Sequence, residues 1–195
     1  MPRPSKRDHL IDTAVDLFNS SGFHATGIDT ILEHAGVARM TLYNHFDSKD
    51  QLILAALERR DESFRAWFVE EVVQATDSPR DRLLALFDVL RRWITGDAPG
   101  PAFCGCTFIN AAAEYGDPAN PVHRAARTHK HKLRAIISGI AEAAGARNPD
   151  ALAARLHLLI EGAIVTAQVT GETGAVDHAK DIARMVIADD VGATA

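Results

Sequence analysis

The sequence lacks an excess of basic residues, a set of cysteines and a long apolar run, each of which would point to a particular class of protein. Its 195 residues carry 21 Lys and Arg against 26 Asp and Glu, a net charge of −5. Residues 1–50 hold 5 basic and 7 acidic residues. Because nucleic-acid-binding domains are usually basic, composition alone argues against such a protein, an expectation that the motifs below contradict.

Cysteine is scarce, since Cys104 and Cys106 are the only two in the chain. So few thiols form no disulfide framework and are typical of a protein of the reducing cytoplasm. No apolar run of about 18 residues is free of proline, charge and histidine, so we expect no membrane span. The amino-terminal segment is charged rather than hydrophobic, which argues against a secretory signal.

Alanine is the most prominent residue that is present, with 33 Ala against 25 Val and Ile combined. This balance favours helices over strands. Serine or Asn-Pro start signals and glycine stop signals recur along the chain and predict an all-α protein of about nine helices. The predicted helices cover about 6–21, 28–35, 39–45, 49–75, 79–95, 103–115, 121–144, 149–170 and 175–188.

Two short predicted helices joined by Gly36-Val37-Ala38 indicate a helix-turn-helix. Glycine suits this turn because the chain reverses there, often through a positive φ. On the second helix, Leu42 and Phe46 are four residues apart and pack inward. Arginine can pair with guanine, asparagine with adenine, and methionine can touch a thymine methyl group, so the outward face suits a major groove. The outward residues are Arg39, Met40, Thr41, Tyr43, Asn44 and His45.

Three motifs follow one another within residues 8–57, namely AVDLF with GF, then ILEHAGV, then TLYNHFDSKDQL. In order and spacing they closely resemble the DNA-binding domain of the TetR/AcrR family of bacterial transcriptional regulators. The resemblance implies a helix-turn-helix DNA-binding domain over residues 1–50 and a ligand-binding and dimerisation domain over residues 51–195. It further implies a sequence-specific regulator, with a repressor released from a palindromic operator by a small effector as the leading prediction.

The resemblance also implies which side chains meet DNA. The backbone is expected to be held by Thr41, Tyr43, His45 and Lys49. Base edges are expected to be read by the outward residues Arg39, Met40 and Asn44, of which Met40 departs from the small residue common in the family. Lys49 starts a helix, where backbone N–H groups also favour phosphate. Thr26, at the start of the second helix, is a further candidate for phosphate contact.

The predicted helix over 149–170 carries more apolar surface than one partner can cover. One face offers Leu152, Leu156, Leu159, Ile160 and Ala163, and another offers Leu158, Val165 and Val169. A helix that is apolar on two faces needs two partners, such as its own core and a second subunit. The resemblance implies a homodimer through helices 149–170 and 175–188, whose two-fold axis matches a palindromic DNA operator.

The region between about 48 and 145 supplies aromatic side chains and a few polar groups. This composition suits a site for a small-molecule effector, although plain core is the simpler interpretation of any one of these aromatic side chains. Neither a cofactor motif nor the usual spacing of metal ligands is visible, so we predict neither group. The candidate ligand-binding residues are Trp67, Phe87, Trp93, Phe108, Asn110, Glu114 and His129.

Cys104-Gly105-Cys106 supports an alternative, a regulator that senses oxidants or electrophiles through its thiols. On a helix over 103–115 these two side chains would point in nearly opposite directions, which disfavours a disulfide between them. A thiol near a helix start can become reactive, whereas burial as a small apolar side chain is the plainer interpretation. An enzyme is a remote alternative that we do not predict, because no nucleophile, base and orienting group form a visible set.

Overall fold

The computed structural model describes residues 5–98 and 100–192. Within them every regular element is an α-helix and there are nine, which confirms the predicted all-α class. The third helix ends two residues earlier and the ninth ends three residues later than predicted. The helices are α1 (Lys6–Ser21), α2 (Ile28–Ala35), α3 (Arg39–Tyr43), α4 (Lys49–Ala75), α5 (Pro79–Thr95), α6 (Thr107–Glu114), α7 (Pro121–Ala143), α8 (Pro149–Thr170) and α9 (Ala175–Val191).

Several helices begin where a polar side chain caps their first turn. The Ser48 hydroxyl accepts the backbone N–H of Gln51 at 3.2 Å, and the Gln51 side-chain oxygen accepts the N–H of Asp47 at 3.0 Å. Ser78 and Asn148, each directly before a proline, likewise accept the N–H three residues further on. Because the first N–H groups of a helix lack partners within it, these local bonds determine where the helices start.

The predicted helix over 103–115 is shorter in the structure, since α6 begins at Thr107. Gly105 has a φ of +84°, in the left-handed region that favours glycine, and therefore interrupts the helix. A Cβ atom at this position would lie 2.0 Å from the side chain of Gln168, so a larger residue would displace that side chain in addition to straining the backbone. Cys104 and Cys106 thus precede α6, and the prediction that placed them on a helix was wrong.

The chain forms two compact units whose limits differ from the domains expected at residue 50. The first unit contains the chain up to Phe64 together with Thr107–His129. The second unit contains Arg65–Cys106 and the chain from Lys130 onward. The unit that carries the helix-turn-helix therefore includes α6, the first half of α4 and the start of α7 in addition to α1, α2 and α3.

In the first unit α1, α2 and α3 pack against one another around large apolar side chains. Leu10, Phe18 and Phe23 are at most 2% exposed, as are Ile31 of α2 and Leu42 of α3. Full burial of such a side chain stabilises the fold by about 1.5–3 kcal/mol. This shared core fixes the orientation of α3, in which Thr41 is half-buried and Arg39, Met40 and Tyr43 are exposed.

In the second unit α8 packs against α9, and α5 packs against both. Leu152, Leu156 and Ile160 form part of the buried face of α8. By length and composition, α8 is the one helix of residues 5–98 and 100–192 that could cross a membrane. Because a core helix passes the same test, and α8 also carries Arg155 and Glu161, this is weak evidence for a membrane span.

Candidate nucleic-acid interface

A tight turn at Gly36 joins α2 to α3. Gly36 has a φ of +61°, the positive value predicted for this position. The N–H groups of Gly36 and Val37 donate to the carbonyls of Glu33 and Leu32, each at 3.2 Å, and satisfy the end of α2. The two helices therefore form the compact helix-turn-helix that the sequence indicates.

The short helix α3 has one buried and one exposed side. Leu42 is fully buried and Phe46, just beyond the helix, is 3% exposed. On the other side Met40 is 70% and Tyr43 is 44% exposed, and Asn44 next to them is also exposed. A group of exposed apolar and polar side chains on one helix face is a candidate contact surface.

The cations near α3 are held by weak surface contacts. Arg39 pairs with Asp29, and their side chains are 56% and 80% exposed. Lys49, which is half-buried, donates from Nζ to the His24 carbonyl at 3.4 Å. Exposed pairs of this kind contribute about 0–1 kcal/mol, so a phosphate group can compete for both cations. Thr41 is half-buried beside them and His45 is exposed.

Thr26 has a role that the sequence did not indicate. Its side chain is buried, with the residue only 2% exposed, and its hydroxyl donates to the Gly22 carbonyl at 2.6 Å. The hydroxyl therefore stabilises the turn between α1 and α2 from inside. A buried hydroxyl that is bonded to a carbonyl is not positioned to contact a phosphate group.

Glu114, predicted to bind a ligand, contacts the turn between α1 and α2. Its Oε1 accepts the N–H of Phe23 at 2.9 Å, and its Oε2 accepts the N–H of His24 at 2.6 Å. The ring of Tyr115 stacks on that of His24 at 4.7 Å. Burial raises the pKa of Tyr115, and the carboxylates of Asp50 and Glu114 act in the same direction, so its phenol stays neutral. Sequence reasoning missed this contact because about ninety residues separate its two sides.

Two other predicted ligand-binding residues pack on each other within the first unit. The ring of His129 stacks on that of Phe108, with centroids 3.6 Å apart and planes 9° from parallel. Nδ1 of His129 lies 2.7 Å from Oδ1 of Asp61, and these side chains are 2% and 7% exposed. The arrangement fits a buried polar pair within the core. Asn110 is half-buried in the same unit.

The three remaining candidates lie in the second unit. Phe87 is fully buried, and Trp93 packs edge-on against Phe103 at 5.0 Å. Trp67 is half-buried and packs edge-on against Phe68 at 6.3 Å. Four of the seven candidates therefore lie in the first unit and three in the second.

A pocket of about 350 Å³ lies in the second unit. Its volume falls within the range of small-molecule sites. None of the seven candidate residues lines it, although Phe103, against which Trp93 packs, does. No lining side chain carries a formal charge, so the pocket suits an uncharged molecule. The lining residues are Ile94, Phe103, Cys104, Gly105, Ala167, Gln168, Gly171 and Thr173.

The two cysteines lie in different surroundings. Cys104 is exposed and Cys106 is buried, with its Sγ 3.3 Å from Nζ of Lys130. Lys130 also donates to Glu161 at 2.8 Å. Burial opposes the charge of Lys130, but Cys106 and Glu161 outweigh it, so the pKa of Lys130 is raised. In the part of the chain that the structure describes, no three His, Cys, Asp or Glu residues gather into a potential metal site.

An exposed α3 that packs against α2, in a chain whose described regular elements are all helices, defines a helix-turn-helix DNA-binding protein. Residues 10–56 match the model for bacterial regulatory proteins of the tetR family. Residues 79–183 match the model of a tetracyclin repressor-like C-terminal domain. The chain belongs to the TetR family and is a DNA-binding transcriptional regulator.

Individual relatives agree with this assignment. The structure of SCO4454, a TetR-family transcriptional regulator from Streptomyces coelicolor, superimposes with a TM-score of 0.85 at 31% identity and 96% coverage of both chains. The transcriptional activator FasR of Mycolicibacterium smegmatis is 35% identical over 100 residues, which cover 51% of this chain and 45% of FasR. The transcriptional repressor KstR2 of the same species is 34% identical over 86 residues, 43% of this chain and 40% of KstR2. The chain thus spans less than half of each of these two relatives.

Family membership also bears on partners and on catalysis. TetR-family regulators are soluble proteins that bind DNA operators and usually form homodimers with effector ligands. The fold and the names of the relatives point to a non-enzymatic transcription factor. The comparisons do not favour the alternative of a thiol sensor.

Proposed function

We propose that the protein is a homodimeric cytoplasmic repressor that binds a palindromic operator through α3 and dissociates when a small effector binds. The exposed side of α3 carries this proposal. Arg39 and Asn44 supply the donors and acceptors that pair with guanine and adenine edges, and Met40 reaches a thymine methyl group. Thr41, Tyr43, His45 and Lys49 hold the DNA backbone and fix the register.

The outward face of α8 and α9 supports the homodimer. We use this name for Leu158, Val165 and Val169 of α8 with Ile182 and Met185 of α9, which are 73%, 41%, 77%, 43% and 65% exposed. The three α8 residues are those that the sequence assigns to a second face of this helix, and the two α9 residues are added from their exposure in the structure. A second copy of the chain covers this face and presents a second α3 to the other half of a palindrome.

The direction of regulation is proposed from the relatives. KstR2, ComR of Escherichia coli and NemR of the same species are named repressors, whereas FasR is named an activator. A repressor that masks a promoter needs only tight binding and release, which the operator contacts and the effector supply.

The operator can be found without knowledge of the regulated genes. We expect selection from a random DNA duplex library to enrich an inverted repeat with half-sites about one helical turn apart. The selected duplex should bind with strong salt dependence, measured by fluorescence anisotropy. Lys49→Ala should weaken this binding and reduce the salt slope by about one phosphate contact, because Lys49 holds backbone rather than bases.

Lys180→Ala is the matched control, since Lys180 lies on α9 and pairs there with Asp88. Its affinity and salt slope should equal those of the unaltered protein. Enrichment of no sequence by the unaltered protein would overturn the proposed operator binding. A Lys49→Ala variant with unchanged affinity would remove Lys49 from the interface.

The uncharged pocket of the second unit is our proposed effector site. Thr173→Trp should fill part of it, because Thr173 is an exposed lining residue. Uncharged compounds that release the selected duplex from the unaltered protein should lose this effect on the variant, while DNA binding persists. Thr170→Trp, on the last turn of α8 but outside the lining, should respond normally. Equal release of the two variants would place the effector elsewhere.

A further inference from the structure

We propose that Glu114 is a positioning residue for operator binding. From α6, its carboxylate holds the turn between α1 and α2, and through this turn it holds Lys49 in the geometry that meets the DNA backbone. The inference rests on the DNA contacts proposed above and concerns a residue that itself contacts no DNA.

The carboxylate of Glu114 uses both oxygens on the turn. Oε1 and Oε2 accept adjacent backbone N–H groups, from Phe23 and His24, at 2.9 Å and 2.6 Å. Oε2 also lies 3.1 Å from Nδ1 of the His24 ring. Bonds from N–H groups to an ionised carboxylate are stronger than those between neutral groups, so two of them set the position and the orientation of the turn.

The turn is shaped to admit this carboxylate. Gly22 has a φ of +84°, and a Cβ atom there would lie only 2.9 Å from Oε1 of Glu114. The ring of Tyr115, the next residue along the chain, stacks on the His24 ring. The side chain of Glu114 is 26% exposed, which shields its hydrogen bonds in part from water.

His24 connects the carboxylate to the proposed phosphate contact. Its N–H donates to Glu114, while its carbonyl accepts a hydrogen bond from Nζ of Lys49 at 3.4 Å. Both groups belong to the same residue, so a shift of the turn displaces the oxygen against which Lys49 rests. Positioning a cation before DNA arrives lowers the ordering cost of binding.

The charge of Glu114 allows a positioning role to be distinguished from a simple electrostatic effect on DNA binding. Removing a negative charge from a DNA-binding unit should by itself strengthen binding to a polyanion. Loss of a positioning contact should weaken it. The two interpretations therefore predict opposite signs for the same substitution.

The test compares variants on the duplex selected by the unaltered protein, with anisotropy measured at constant salt. Glu114→Gln keeps the size of the side chain but replaces one acceptor by a donor that faces an N–H group. We expect about tenfold weaker binding, the scale of one lost charged hydrogen bond. Glu114→Asp retains the charge but is one methylene too short for both N–H groups, and should also bind more weakly. Glu62→Gln, which removes an exposed carboxylate of α4, should bind equally or more tightly.

A double-mutant cycle with Lys49→Ala identifies the route. If Glu114 acts through Lys49, the double variant should bind about as weakly as the weaker single variant. The proposal would be overturned if the loss of affinity in the double variant equalled the product of the two single losses. It would also be overturned if Glu114→Gln bound as tightly as the unaltered protein. Either result would leave the proposed function standing. If the unaltered protein bound no duplex selectively, both the proposed function and this inference would be overturned. Circular dichroism at the temperature of the binding assay should show that each variant is folded, so that weaker binding reports positioning rather than unfolding.

Discussion

Replacing both Leu158 and Val169 by aspartate yields a monomer that binds the selected duplex about a hundredfold more weakly, the scale set by loss of bivalent binding. The two side chains are 73% and 77% exposed on the outward face of α8 and α9. In a dimer a carboxylate here would be buried without a partner, which is unfavourable. Sedimentation velocity should report the monomer mass, and anisotropy should report the weaker binding.

Val73→Asp is the matched control for this experiment, because Val73 is an apolar residue of α4 that is 45% exposed outside the outward face. It should leave the dimer and the operator affinity unchanged. A double variant that remains dimeric would show that the outward face is not the subunit interface.

Asp61→Ala should lower the free energy of unfolding by about 3 kcal/mol, the cost of removing one partner of a buried polar pair. Its carboxylate lies 2.7 Å from the His129 ring, and both side chains are at least nine-tenths buried. Without Asp61, the imidazole loses this hydrogen-bond partner and a small void remains. Urea unfolding followed by circular dichroism measures the loss.

Glu58→Ala provides the comparison for Asp61, since Glu58 is exposed on the same helix. Its free energy of unfolding should change by at most about 0.5 kcal/mol. Combining Asp61→Ala with His129→Leu should cost less than the sum of the single losses, because the double variant leaves neither group unpaired. If the two losses of unfolding free energy added exactly, the interaction between Asp61 and His129 would contribute nothing to stability.

The helices and the exposed side of α3 were predictable because local hydrogen bonds and residue spacing determine them. The side chains of Ser48 and Asn148 accept hydrogen bonds from N–H groups three residues further on. This short spacing can be recognised from the sequence alone. The same holds for α3, where Leu42 and Phe46 are inward at helical spacing and Met40 and Tyr43 are left outward. Local hydrogen bonds and periodic burial need no knowledge of distant parts of the chain.

The role of Glu114 was not predictable in this way. Its acceptors are satisfied by N–H groups of Phe23 and His24, far away in sequence. Gly105 shows the same limit, because the side chain that a Cβ atom there would meet is that of Gln168 of α8. The residue types next to Glu114 or Gly105 in the sequence do not reveal which distant backbone or side-chain group each of them contacts.

Ion pairing explains why an acidic net charge is compatible with DNA binding. Asp8 and Asp12 both contact Arg59 of α4 at 2.6 Å, so part of the acidic charge of α1 is compensated inside its own unit. Lys49, by contrast, makes only a long hydrogen bond to a carbonyl. Net charge counts all of these groups alike, whereas DNA meets only those that remain available at one surface.

The sequence by itself determined the all-helical class, the helix-turn-helix, the family and the face of α3 that meets solvent, because caps, periodicity and short motifs act over a few residues. Only the tertiary structure decided that Thr26 is buried, that Glu114 contacts the turn between α1 and α2, and that His129 pairs with Asp61. These features depend on long-range packing, which brings together groups whose separation along the chain gives no local signal.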